Sequence, residues 1–183
     1  MLSIASTAAA AAFIGSRSMR VDNRSDTLPR SVQLAIGAEI RRATARDMPA
    51  LATWSGHVET VFKPSLERSD RMLLIAHANG RFPIGHVFVD LSGGVISHLL
   101  VLAGFRDQGL GTALVAEAEQ WLRENGAHRA AVLVEKSNSG AIRLYERLSY
   151  TKTGEAVETW PEPTEDGSLL PVDHPVWVMQ NKL

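Results

Sequence analysis

The 183-residue sequence contains no cysteine. This absence excludes disulfide bonds, thiolate metal sites and a thiol nucleophile, and it fits the reducing cytoplasm in which we expect the protein to act. An excess of one charge is also lacking, because 19 basic and 20 acidic residues leave a formal net charge of −1. No basic field is therefore available for nucleic acid. No apolar run approaches the roughly 20 residues of a membrane helix.

Residues 1–36 are expected to form an extension outside the folded domain. An alanine run at residues 8–12 favours helix but buries little apolar area. A secretion signal would carry positive charge before its apolar segment, whereas the first basic residue here is Arg17, after that segment. We therefore predict a disordered or weakly helical extension over residues 1–36 and one folded domain over residues 37–183.

Strand and helix patterns along the rest of the chain predict an α/β domain with a mixed sheet. Helices are expected after the glycines at 109 and 111, where one face is apolar, and after Asn138. The sequence Asn79-Gly80-Arg81 is typical of a hairpin turn, and residues 161–175 are expected to form a long loop. The strand patterns lie at residues 40–44, 72–78, 84–91, 95–101, 130–134, 151–160 and 176–183.

The segment from Arg106 to Thr112, RDQGLGT, carries the clearest chemistry. It connects a strand pattern to a helix pattern. The first N–H groups of a helix have no partner inside the helix and carry the positive end of its dipole, so they can bind a phosphate. Gly109 and Gly111 have no side chain where the backbone must approach such a ligand. The segment therefore predicts an anion-binding turn.

Two other glycine-rich motifs fit this segment less well. A dinucleotide-binding fingerprint needs a third small residue where Leu114 stands, and no second βαβ half follows, although Glu135 imitates the acid that binds a ribose. A P-loop needs a lysine where Leu110 stands. Both alternatives are therefore weaker interpretations than a pyrophosphate site of another kind.

Together with residues 138–150, NSGAIRLYERLSY, the glycine segment resembles the GNAT N-acetyltransferase superfamily. The two segments match its R-x-x-G-x-G and N-x-x-A-x-x-L-Y-E-x-L-x-Y signatures, with Ser149 in place of the usual glycine. The resemblance covers about residues 40–183. It implies a GNAT-type mixed, mostly antiparallel sheet with helices on both faces and a splayed central strand pair. It also implies direct transfer of an acetyl group from acetyl-CoA to a primary amine, without a metal.

The resemblance further implies which residues bind acetyl-CoA. Free backbone groups where the fourth strand ends should pair with the pantetheine arm, and the glycine segment should hold the pyrophosphate. Arg106 is expected either to pair with phosphate or to fix the loop, and Asn138 to cap a helix and contact the CoA arm. The implied cofactor-binding residues are Leu100, Val101, Arg106, Gln108, Gly109, Leu110, Gly111, Thr112, Asn138 and Tyr145.

Two residues are candidates for proton transfer. By resemblance Tyr145 lies near the CoA sulfur and donates a proton to the departing thiolate, although its spacing also suits a core aromatic. His98 is the candidate general base, so the rate should fall as the pH drops through its imidazole pKa. Many family members carry an acid there, and His98 also suits a buried core position. Leu133 stands where the resembling ribosomal-protein acetyltransferases carry a catalytic glutamate.

The acceptor site is expected to involve His57 and Glu59, in a helical segment that usually walls it, and Trp160, in the last loop. Further candidates in that loop are Glu162, Glu165, Asp166 and His174, and for all of these a solvated surface position is the alternative. Acids and tryptophans suit a small cationic amine such as an antibiotic or a polyamine. A protein N-terminal or lysine acetyltransferase and a non-catalytic acetyl-CoA-binding module remain alternatives. A homodimer is left open.

Overall fold

The structure is a computed structural model that describes residues 32–33, 37–78, 82–164 and 168–183. It contains one eight-stranded sheet whose strands run in the order β1-β2-β3-β4-β5-β6-β8-β7. All neighbouring strands are antiparallel except β5 and β6, which are parallel. The predicted mixed, mostly antiparallel sheet is therefore confirmed. The strands are β1 Val32–Gln33, β2 Ala38–Arg42, β3 Arg71–Ala78, β4 Phe82–Asp90, β5 Val95–Val101, β6 Arg129–Glu135, β7 Thr151–Pro163 and β8 Leu169–Lys182.

Helices cover both faces of this sheet, as expected. The short helices α1 (Met48–Leu51) and α2 (Lys63–Ser65), with a π-helical turn at Val58–Phe62 between them, lie on one face. The longer helices α3 (Leu110–Glu124) and α4 (Ser139–Arg147) lie on the other. None of the helices in the described part of the chain is both long and apolar enough to span a bilayer.

Alternation of side chains along the strands divides the apolar core between these two faces. On β3, Leu74 belongs to the cluster that packs against α3 and α4, whereas its neighbours Leu73 and Ile75 belong to the cluster around Phe62. On β6, Val132 and Val134 face α3 and α4. The intervening side chains of β6 therefore point to the opposite face.

The two central strands part after a single paired position. Val95 of β5 pairs with Ala131 of β6, and the Ala131 N–H donates to the Gly94 carbonyl at 2.8 Å. Beyond this pair the strands diverge, which confirms the splay that the resemblance implied. A bulge adds to the distortion of β5, because His86 pairs with Leu100 while Phe88 pairs with Ser97. Its His98 has a left-handed φ of 50°, an unusual conformation for a residue with a side chain.

The long loop predicted over residues 161–175 is wrong, because most of that segment is strand. β7 and β8 form a hairpin in which Pro161 pairs with Pro171, and the hairpin closes with a bond from the Thr164 N–H to the Ser168 carbonyl. The prolines of β7 are tolerated because it is an edge strand, and Pro171 and Pro175 lie in the part of β8 that pairs only with β7. Only residues 176–182 of β8 also pair with β6, so the outer half of the hairpin is a two-stranded ribbon.

The N-terminal boundary of the folded part also differs from the prediction. Val32 and Gln33, assigned to the extension, form β1 and pair with Ile40 and Glu39 of β2. These two residues belong to the sheet because β1 pairs with the edge of β2. The alanine run on which the prediction rested gives no indication of that pairing. The rest of residues 1–36, the expected turn at residues 79–81, and Glu165 and Asp166 lie outside the described residues.

Candidate active site

A cleft of about 180 Å³ opens where β5 and β6 diverge. β5 forms one wall, the end of β6 forms the other, and the start of α4 lines the cleft between them. The two predicted proton-transfer residues both lie in it, which sequence spacing alone could not establish. The lining residues are Ile96, Ser97, His98, Leu99, Leu133, Val134, Glu135, Asn138, Ala141 and Tyr145.

The N-terminus of α3 has backbone donors without helical partners. The first bond of the helix runs from the Ala113 N–H to the Gly109 carbonyl at 3.0 Å. The N–H groups of Leu110, Gly111 and Thr112 therefore precede the helical ladder, and no side chain caps them. Gly109 has a φ of 80°, and a Cβ atom built on it would meet nothing within 4 Å. The helix end is therefore open to a ligand, as the anion-binding prediction requires.

Two side chains hold the loop that precedes α3. The Arg106 Nε donates to the Val101 carbonyl at 3.0 Å, and the Gln108 Nε2 donates to the Gly104 carbonyl at 3.2 Å. Of the two roles expected for Arg106, the structure shows the loop-fixing one. Arg106 and Gln108 are exposed, so their remaining donors face solvent.

The ladder between β4 and β5 decides which backbone groups of β5 are free. The Leu102 N–H donates to the Ile84 carbonyl at 2.9 Å, and Leu100 pairs with His86. Since alternate residues of an antiparallel strand face the partner, the backbone groups of Leu100 point toward β4 and those of Val101 point away from it. The Val101 backbone therefore lies on the side away from β4, and the Leu100 backbone faces β4; the predicted contact of both residues with a pantetheine arm stays a prediction. Leu99, which sequence reasoning did not name, lines the cleft.

Tyr145 enters the cleft from α4 as a buried side chain, with 5% of its surface exposed. Its ring packs edge-on against Tyr150, with ring centroids 5.3 Å apart. Burial raises the pKa of the Tyr145 phenol, so the hydroxyl keeps its proton at any physiological pH. Nearby, Asn138 Oδ1 accepts a hydrogen bond from the Ala141 N–H at 3.0 Å, which shows that Asn138 caps α4.

His98 lies within a group of aromatic rings on the face opposite α4. Its ring centroid is 4.5 Å from that of His57 and 5.9 Å from that of Phe88, and its Nδ1 is 2.9 Å from Ser97 Oγ. Burial, together with the charges of His57 and His86, lowers the pKa of His98 to about 4. The imidazole is therefore neutral near pH 7, and its titration moves to about pH 4 from the ordinary range of a histidine.

The residues predicted for the acceptor site lie in different places relative to the cleft. His57 contacts His98 and is therefore adjacent to the cleft. Glu59 is an exposed side chain that pairs with Lys63 at 2.5 Å, and it does not line the cleft. Trp160 lies on the hairpin ribbon, where it stacks on His174 with ring centroids 3.6 Å apart.

Sequence reasoning gave Glu135 no role except as an imitation of a ribose-binding acid, yet it lines the cleft. Its position follows from strand alternation, because Glu135 and Leu133 share the face of β6 that points away from Val134 and α3. The strand was predicted from its continuous apolar run, and counting alternate residues along it could have indicated this placement.

The buried histidines of this region should make the protein sensitive to acid. His86 is 1% exposed, and burial lowers its pKa to about 4. The unfolded chain binds the proton below about pH 6.5 whereas the folded state resists it, so stability present above pH 6.5 is lost as the pH falls toward 4. At pH 5 this loss is about 2 kcal/mol from His86 alone.

Urea unfolding at pH 7 and pH 5 measures the effect. We expect His86→Phe to reduce the fall in unfolding free energy between these pH values by about 2 kcal/mol. The matched control is His128→Gln, because His128 is exposed. If the unfolding free energy falls between pH 7 and pH 5 by the same amount in His86→Phe, His128→Gln and the wild type, burial of His86 does not explain the acid sensitivity.

Comparison with known proteins agrees with this geometry. A family model described as the Acetyltransferase (GNAT) family matches residues 38–150. An uncharacterized N-acetyltransferase of Methanocaldococcus jannaschii is 29% identical over 108 residues, which cover 54% of this chain and 47% of that protein. This chain therefore spans about half the length of that curated relative.

Solved structures show the same fold at low sequence identity. The ribosomal-protein-S18-alanine N-acetyltransferase of Escherichia coli superposes with a TM-score of 0.62 at 21% identity, covering 79% of this chain and 93% of that one. Mutant forms of a spermidine/spermine N-acetyltransferase from Vibrio cholerae superpose with a TM-score of 0.59 at 14% identity, covering 79% and 94%. The family model spans more than half of the sequence, and the fold contains the diverging strands β5 and β6. The chain therefore belongs to the GNAT family of acetyltransferases.

Proposed function

We propose that the protein transfers an acetyl group from acetyl-CoA directly to a primary amine of a small molecule. One observation carries the proposal. The cleft between β5 and β6 lies next to a helix N-terminus whose first N–H groups have no helical partners. A Cβ built on Gly111 would lie 3.5 Å from Leu144, the neighbour of Tyr145 on α4, so the anion site borders a helix that lines the cleft.

The residues present fit acetyl-CoA. The N–H groups from Gln108 to Thr112 would hold the pyrophosphate at the positive end of α3, and the absence of a side chain at Gly109 leaves room for it. The N–H of Val101, on the side of β5 that faces away from β4, would pair with the pantetheine arm, since the Val101 carbonyl already accepts a bond from Arg106 Nε. Asn138 borders the cleft and would contact the same arm.

The chemistry requires one bond to form and two to break. A neutral amine attacks the thioester carbonyl, the C–N bond forms, and the C–S bond and one N–H bond of the attacking nitrogen break. The departing thiolate takes a proton from a donor, and the proton that the nitrogen releases balances the one that the donor gives up. Tyr145 is the donor we propose, because its buried phenol stays protonated and lines the cleft. His98 is neutral at physiological pH, and we propose that it contacts the acceptor amine as a hydrogen-bond acceptor.

Charge and aromatic surface favour a small cationic acceptor. Glu135 lines the cleft, and Glu162 and Trp160 lie on the ribbon beside it. Carboxylates attract an ammonium group, and an indole face stabilises it by a cation–π interaction. The structurally similar Vibrio cholerae enzyme is named for spermidine and spermine, which are amines of this kind.

Release of free thiol from acetyl-CoA tests the proposal with three acceptors: spermidine, a streptothricin-type antibiotic amine and a peptide with an N-terminal alanine. We expect fastest release with one of the two small amines, and mass spectrometry should show one added acetyl group. Fastest transfer to the peptide would indicate a protein acetyltransferase. Binding of acetyl-CoA without transfer to any acceptor would indicate a non-catalytic module.

A further inference from the structure

The imidazole of His174 lies between two carboxylates, one at the cleft and one at the protein surface. His174 Nδ1 lies 3.8 Å from Glu135 Oε1, and His174 Nε2 lies 3.3 Å from Glu162 Oε1. Glu135 lines the cleft, the His174 side chain is 9% exposed and the Glu162 side chain is 50% exposed. The three groups therefore form a continuous polar row from the reaction cleft to solvent.

The pairing of β6 with β8 brings Glu135 and His174 together in this row. Glu135 pairs with Val176, two residues from His174, so alternation places Glu135 and His174 on one face of the sheet. Val134 and its partner Trp177 point to the opposite face, toward α3 and α4. Glu135 and His174 therefore approach the cleft from the side opposite Tyr145, which α4 carries. A proton leaving the acceptor and a proton reaching the thiolate would follow separate routes.

His174 is held in an orientation suited to relaying a proton. It is 7% exposed, its Nε2 has no hydrogen-bond partner among the described residues, and its ring lies 5° from the plane of Trp160. An imidazole can accept a proton on one nitrogen while the other nitrogen releases one. A carboxylate oxygen lies within 4 Å of each nitrogen, so a small approach of Glu135 and Glu162 to hydrogen-bonding geometry would let the ring pass a proton outward.

His98, the base expected from sequence, has no comparable exit for a proton. The rings of His57, Phe62 and Phe88 surround it. The neighbouring charges that affect it belong to His57 and His86, and both oppose its protonation. A proton placed on His98 would therefore be a buried cation without a carboxylate to receive it.

We propose that Glu135 accepts the proton of the bound ammonium acceptor and that His174 relays it to Glu162 and solvent. The inference rests on the proposed function. The ammonium N–H bond breaks and the proton binds the Glu135 carboxylate, leaving a neutral amine for attack. Glu135 then passes its proton to His174 Nδ1, and the Nε2 proton moves to Glu162, so charge is conserved at each step. The other titratable groups nearby are Glu158, opposite His174 in the hairpin, and His98 across the cleft.

Glu135→Gln gives the first test, with the panel amine that the wild type acetylates fastest. Glutamine keeps an oxygen for the bond from Ser137 Oγ (2.6 Å in the wild type) but cannot take a proton at neutral pH. We expect kcat at pH 7 to fall by about 10²-fold or more, with the KM for acetyl-CoA unchanged. The loss should shrink above pH 9, because an alkyl amine with a pKa of about 10 increasingly binds in its neutral form.

His174→Phe gives the second test, because phenylalanine retains a ring for the stack on Trp160 and has no nitrogen. We expect a smaller loss of kcat that also shrinks at high pH. Glu155→Gln is the matched control on the same hairpin, since Glu155 pairs with Lys136 and does not line the cleft. It should keep the wild-type rate. Thermal melts of all variants verify that they are folded.

Three outcomes overturn the proton path. Wild-type kcat in Glu135→Gln overturns it, and so does a raised KM for the amine with unchanged kcat, which would make Glu135 a binding charge. A loss of kcat in folded Glu135→Gln that is constant with pH overturns it as well. Failure of the wild type to acetylate any amine would instead overturn the proposed function, and the path with it.

Discussion

Gly109→Val should abolish the thermal stabilisation that acetyl-CoA gives to the protein. A ligand that binds only the folded state, present at a hundred times its Kd, adds about 2.7 kcal/mol and raises the Tm by roughly 5–10 °C for a protein of this size. Gly109 has a left-handed φ of 80°, and open space surrounds the position of its missing Cβ. A valine there fills the space that we assign to the pyrophosphate, and scanning calorimetry with and without acetyl-CoA measures the loss.

The chain offers a matched control for backbone strain. Gly37 also has a left-handed φ, of 69°, and a Cβ built on it would also meet nothing within 4 Å. Gly37→Val therefore introduces a similar strain just before β2, which is separated from β5 by two strands of the sheet, and both variants should melt below the wild type. Only Gly109→Val should lose the response to acetyl-CoA. A full response in folded Gly109→Val would exclude the helix N-terminus as the pyrophosphate site.

Tyr145→Phe should lower kcat by roughly 10²-fold or more while leaving the affinity for acetyl-CoA nearly unchanged. The substitution keeps the ring that packs against Tyr150 and removes only the hydroxyl. Because the phenol lies in the cleft and holds its proton, its loss leaves the departing thiolate without a donor. Steady-state thiol release with an acceptor that the wild type acetylates gives kcat and KM.

Tyr150→Phe is the control, because the sequence has two tyrosines and Tyr150 does not line the cleft. It removes an equally buried hydroxyl from the same ring pair. We expect turnover close to the wild-type value. If both variants retain full turnover, Tyr145 has a packing role only; if both lose it equally, the effect comes from packing and not from the proton donor.

Features that depend on local sequence could be predicted. The left-handed Gly109, the start of α3 after it and the Asn138 cap of α4 each depend on a few neighbouring residues. Gly126 and Ser149 have the left-handed backbone expected at the ends of the two long helices. The glycines and Asn138 indicate these requirements by their own residue type, whereas Ser149 does so only because it stands in place of the family's glycine.

Features that depend on strand register could not be predicted in the same way. The bulge at His98 exists only relative to β4, and a shift of one residue decides whether Leu100 or Val101 faces away from that strand. The pairing of β6 with β8 brings Glu135 beside His174 across a long stretch of sequence. The prolines near residues 161–175 indicated a loop because nothing local shows that they occupy an edge hairpin.

A crystal structure of the protein with bound coenzyme A tests the central claim most directly. The account predicts the pyrophosphate on the N–H groups of Leu110, Gly111 and Thr112, with the pantetheine arm along Val101 and the sulfur in the cleft beside Tyr145. Coenzyme A bound elsewhere, with the N-terminus of α3 free of phosphate and the sulfur away from Tyr145, would contradict it.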